Sequence, residues 1–237
     1  MARCVQATLA SILLTAGMSS VVIQNSRAEQ RADCGHQGVS VVYRDATELG
    51  SACTALANIL AYFGSIDFDI APRFSLQFVE HGSDRDSPLF SAHGYFDGMQ
   101  SQIVVYRSSD VGAWGLPWSP KMAASFLGHE LAHMAIWNIF NGKSARLPRE
   151  WHEFVAYAIQ VDLMDGQLRN DLLARQDHVE PFESLLAVNP LTYHMNPEVF
   201  AVAAYKTYLA NGGASFVRQI LRGEFVPPRI PYPLAPD

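Results

Sequence analysis

Charged residues are few in this chain. Asp, Glu, Lys and Arg make up 17% of 237 residues, against roughly a quarter in ordinary soluble domains. A sequence so poor in charge and 49% hydrophobic has enough apolar surface to fold, which excludes intrinsic disorder as its working state. Positive charge is the scarcer sign, with 17 Lys and Arg against 23 Asp and Glu. No basic footprint for a phosphate backbone results, and nucleic acid is not an expected partner. Internal repeats and low-complexity tracts are lacking, which excludes solenoid and propeller architectures. Cysteine is limited to Cys4, Cys34 and Cys53. Beyond residue 23 no run of 18 uncharged apolar residues occurs, so no later segment is expected to span a membrane.

The chain does carry a distinctive N-terminus. Residues 4–23 (CVQATLASILLTAGMSSVVI) are uncharged, follow Arg3, and lead to Ser26 and Ala28, small residues at the −3 and −1 positions of a cleavage site. Residues 1–28 therefore read as a secretory signal peptide; an uncleaved anchor is the alternative, disfavoured by the many Ser, Thr, Gly and Gln residues in the segment. The expectation is an extracytoplasmic protein, periplasmic or secreted, with no membrane span after cleavage. Loss of Arg3 and Arg27 leaves 15 basic against 23 acidic residues, a net charge of −8. Cys34 and Cys53 then remain, and in an oxidising compartment they would most simply pair. Two free thiols, or Cys34 as a metal thiolate, are the alternatives.

Residues 29–237 are expected to form one α+β domain. Val39–Tyr43 reads as a strand, and Thr47–Phe63, rich in Ala and Leu, as a helix. Residues 74–80 alternate apolar and polar, and QIVVYR at 102–107 is a second β-rich run. Between them HGSDRDSPLFSAHGYFDG reads as loops with room for a hairpin. From Ser119 onward the pattern turns helical, with Ser119 as N-cap, Pro120 at the first helical position and Asn141-Gly142 as the stop. A second helix is predicted from Pro148 to about Met164, and others near 167–175, 197–210 and 213–222. The expected architecture is a mixed lobe over 29–118, a helical part over 119–222, and an extended Pro-rich tail over 223–237.

The helix MAASFLGHELAHMAIWNIF, from Met122 to Phe140, is apolar or small almost all round, so it is expected to be buried. Its ionisable residues are His129, Glu130 and His133, and burying them is costly unless they are paired or bind a metal. His129 and His133, four apart, project from one face. This is H-E-x-x-H, in which two neutral imidazoles ligate zinc and the Glu serves as general base. A pair of core histidines with Glu130 bonded to one of them is the rival interpretation. Ile136 and Ile139 stand where a metzincin carries Gly and a third His, so that class is excluded. A third ligand is expected on the next helix, where Glu153 precedes an almost wholly apolar run; Glu150 and His152 compete with it. Two neutral His and one Glu would leave zinc with a net charge of +1, still able to acidify water.

On these residues the sequence resembles the gluzincin group of zinc metallopeptidases, whose motif is H-E-x-x-H on one helix and a Glu on the next. Nineteen residues separate His133 from Glu153, a spacing similar to that of thermolysin-like members. The resemblance spans residues 39 to about 222. It implies a zincin-like fold with the active-site helix between the two lobes, one zinc ion per chain on His129, His133 and Glu153, Glu130 as general base, and a peptide or protein substrate. It also departs from thermolysin-like members at Tyr157, where their pattern has an Asp that holds a histidine. Tyr193 and His194, in NPLTYHMNPE, are the candidate oxyanion donors, with Tyr157, Tyr205 and His178 as weaker ones. Gln102–Tyr106 is read as a sheet edge able to pair with an extended peptide. Trp114, Gly115, Pro117 and Trp118 are candidate pocket walls or core packing, and His36, His81 and His93 are read as surface or turn residues. The rival functions are a non-catalytic zinc- and peptide-binding protein, which has no need of Glu130, and a zinc hydrolase acting on another amide.

Overall fold

The computed structural model describes residues 28–80, 93–107, 112–143 and 146–228. Residues 1–27 of the predicted signal segment, His81 and the tail from 229 lie outside these residues. The fold is α+β, as the sequence predicts.

A short strand β1 (Gln30–Ala32) pairs antiparallel with β2 (Val39–Tyr43). Cys34 (φ 52°) and Gly35 (φ 81°) turn the chain between them. A Cys34–Cys53 disulfide, Cα atoms 5.2 Å apart, ties that turn to α1 (Ala46–Ser65), the pairing expected from sequence. The α1 helix opens where the Asp45 side chain accepts from the Thr47 and Glu48 amides, satisfying two otherwise orphaned donors. It buries Leu56, Ile59 and Phe63. β3 (Phe74–Val79) alternates buried Phe74, Leu76 and Phe78 with half-buried residues and runs parallel to β2.

β5 (Gln102–Tyr106) lies parallel to β3 on one side and antiparallel to β4 (Gly94–Asp97) on the other, giving the order β1-β2-β3-β5-β4. This corrects the sequence reading of Gln102–Tyr106 as an edge. Its Ile103, Val104, Val105 and Tyr106 are all buried, the continuous apolar run of a strand covered on both faces. The edge on this side of the sheet is β4, whose Gly- and Asp-bearing sequence has the composition of a loop.

The α2 helix (Pro120–Ile139) starts at Ser119, whose Oγ accepts from the Met122 amide at 3.1 Å, with Pro120 at the first helical position. It stops at Asn141 and Gly142, both in left-handed backbone. It packs against α1, β4, β5 and α3 (Arg149–Asp162), which accounts for its apolar circumference. Gln160 of α3 donates to Ser125 Oγ of α2 at 3.0 Å, a buried bond between the two helices. α4 (Gly166–Arg175), a 3-10 turn at Leu185–Ala187, α5 (Pro190–Met195), α6 (Pro197–Ala210) and α7 (Ala214–Arg222) follow. α6 packs along α3, and the buried apolar residues form one cluster reaching from Val39 to Leu221. Among the described residues no helix is long and apolar enough to cross a membrane.

Candidate metal centre

α2 carries His129 and His133 one turn apart, and α3, packed beside it, presents Glu153 to both. The Nε2 atoms of the two histidines are 3.0 Å apart, and Glu153 Oε2 lies 3.4 Å from that of His129 and 3.6 Å from that of His133. An ion about 2.0–2.2 Å from three tetrahedrally disposed donors separates them by about 3.4 Å. The observed edges of 3.0, 3.4 and 3.6 Å bracket that value, a spacing at which the three atoms could share one small divalent cation. Among the described residues, they are the only three His, Cys, Asp or Glu side chains that could share an ion.

Glu150 and His152 stand outside the triangle. Glu150 is buried in the first turn of α3, and the His152 ring sits 6.5 Å from that of His133 and 6.2 Å from Phe140. His129 is closed off at 5% exposure, while His133 and Glu153 retain partial access to solvent. Burial would raise the Glu153 carboxyl, but the adjacent His133 and His129 imidazoles overcome it and hold the group well below the usual carboxylate range.

Glu130 is 6% exposed. Burial pushes its carboxyl up to about 7, Glu153 adds to the rise, and the His133 charge and the Phe96 amide oppose it. Phe96 belongs to β4. In the β4–β5 ladder His93 O accepts from Tyr106 N, so the alternation of an antiparallel pair turns the Phe96 amide away from β5 and leaves it free to act on the Glu130 carboxyl of α2. Gly98 fixes how closely β4 approaches the helix, because a Cβ there would lie 2.7 Å from the Trp137 ring. The Phe96 and Trp137 rings meet edge to face at 6.4 Å.

Aromatic groups close the other side. The Tyr157 ring lies against His129, centroids 4.3 Å apart and planes at 53°. Tyr193 projects from α5, which a capping box at Asn189 and Thr192 anchors, and packs on Phe200 at 5.4 Å. Burial raises its phenol above the usual tyrosine range, the nearby Glu153 charge adds to the rise, and Arg149 opposes it. Of the two oxyanion candidates, Tyr193 thus faces the triangle. His194 does not: it is exposed, with Nδ1 2.6 Å from Pro190 O. Among the weaker candidates, Tyr205 neighbours Arg169 and Asp162, and exposed His178 neighbours Asp177.

Trp114 is fully buried and stacks on Phe126 at 5.2 Å, and Trp118 stacks on the same ring at 5.9 Å, so both are core packing. His93, at a bend just before β4, is half-buried rather than exposed. Its ring lies 4.1 Å from Phe126 and 5.1 Å from Trp118, within the same aromatic cluster. Sequence reasoning missed two features of the site, the Phe96 amide and the contact of Tyr157 with His129. The first has no side-chain signature. The second was open to a register argument, since Tyr157 follows Glu153 by one helical turn.

The family model described as "Family of unknown function (DUF6639)" matches residues 39–229. No curated protein and no solved structure matches the chain.

Proposed function

The chain belongs to DUF6639, a family of unknown function, and we propose that it is a zinc-dependent metallopeptidase of gluzincin type that hydrolyses peptide bonds outside the cytoplasm. The observation that carries this reading is the triangle of His129 Nε2, His133 Nε2 and Glu153 Oε2, with edges of 3.0–3.6 Å. Bound there, zinc would supply Lewis acidity, polarising a carbonyl and bringing the pKa of water toward ~7. Glu130, next to the first ligand in sequence and within electrostatic reach of His133 and Glu153, is the group that takes a proton from water and returns it to the leaving amine. The Tyr193 phenol is a donor within reach of charge developing on the substrate oxygen. β4 supplies a strand edge beside α2, along which an extended peptide can lie. Export agrees with the N-terminal segment and with the Cys34–Cys53 disulfide.

Burial of Glu130 favours a second reading, a zincin-like protein that holds zinc and binds peptides without turning them over. Glu130→Gln separates the two. The peptidase reading expects the mature protein and the variant each to hold about one zinc per chain, with peptide hydrolysis falling by roughly 10²- to 10⁴-fold in the variant. Equal behaviour of the two proteins on a broad peptide library would leave the binding-protein reading in its place.

A further inference from the structure

We infer that Tyr157 is a positioning residue for His129, its ring packing doing the orienting that a hydrogen-bond acceptor performs at most metal-bound histidines; the inference rests on the metal reading above. For Nε2 of His129 to ligate an ion it must be bare, and the neutral imidazole then carries its proton on Nδ1. That Nδ1 is buried and has no hydrogen-bond partner among the described residues. Metal-ligating histidines almost always donate this second N–H to a carboxylate, carbonyl or water, which fixes both tautomer and ring orientation.

Here the orientation has a different source. Tyr157, one turn after Glu153 on α3, lays its ring 4.3 Å from the imidazole centroid. Its own ring is braced by Phe200 of α6 at 6.2 Å and 65°. The same helix thus carries the third ligand and the group that holds the first ligand in line with it. Nε2 of His129 stays within 3.4 Å of both other donors although the far side of the ring is untethered. The contact is ring to ring, so the effect should survive loss of the hydroxyl and fail with loss of the aromatic face.

The test uses the full mature chain as wild type, Tyr157→Phe and Tyr157→Leu. Zinc affinity is measured by competition with a chromophoric chelator, and the visible d–d absorption of the cobalt(II)-loaded protein reports ligand geometry. Wild type and Tyr157→Phe should agree in zinc affinity within about threefold and share one cobalt spectrum. Tyr157→Leu should bind zinc roughly 10- to 100-fold more weakly, the range for lost support of a ligand, with altered cobalt bands and an unchanged far-ultraviolet circular dichroism spectrum. A Tyr157→Phe protein weakened as much as Tyr157→Leu, or a Tyr157→Leu protein equal to wild type, overturns the inference. Wild-type protein that binds neither zinc nor cobalt overturns the metal reading itself. If Tyr157→Leu does not fold, the comparison of wild type with Tyr157→Phe still decides.

Discussion

Glu130 sets the pH behaviour of the site. In the metal-free protein its carboxyl is pushed up to about 7 by burial, whereas the unfolded chain releases the same proton near 4.5. Between those values the native state holds more protons than the unfolded state, so stability falls as pH rises and levels off above about 7. The shift corresponds to a loss of about 3 kcal/mol across that window. Glu130→Gln removes it: in metal-free protein the stability advantage of the variant over wild type should grow from pH 5 to pH 7.5, measured by urea unfolding. A constant difference would mean that Glu130 ionises normally. His129, Glu130, His133 and Glu153 were legible in the sequence because ionisable groups stand out in apolar helices. Tyr193 could not be told from His194, since adjacent residues point about 100° apart and the choice depends on where the six-residue α5 begins.

Among the elements, α2 and α3 were readable from their caps and apolar runs, and the observed bounds fall within two residues of the predicted ones. β4 was not, because four residues containing Gly and Asp carry no strand pattern and depend on β5 and Trp137 for their conformation. The same dependence gives a test of how the strand seats Phe96 against Glu130. Gly98→Val forces carbon into the Trp137 ring, and overpacking of this kind costs about 1–3 kcal/mol. The variant should lose that much stability by chemical denaturation and lose hydrolytic rate while keeping its zinc. Unchanged stability would show that β4 is not held where Gly98 meets the helix.

Across the whole molecule, one apolar cluster runs from the sheet through α2 to α7, and the disulfide fastens the N-terminal strand pair onto α1. The Cys34–Cys53 loop has a sequence separation of 19, and closing a loop of this length stabilises the fold by about 3 kcal/mol in the chain-entropy model. Cys34→Ser with Cys53→Ser should therefore lower Tm by roughly 6–12 °C at 2–4 °C per kcal/mol, with zinc binding retained in the folded protein because none of the three proposed ligands lies on α1. A drop in zinc content at temperatures where the variant is folded would tie the metal site to the N-terminal segment. The central claim is that three side chains from two neighbouring helices share one divalent ion. It is tested most directly by metal analysis of zinc-equilibrated, gel-filtered wild type, His129→Ala, Glu153→Ala and Glu150→Ala. About one zinc per chain is expected in wild type and Glu150→Ala, and essentially none in the other two; zinc absent from wild type, or retained without Glu153, would contradict it.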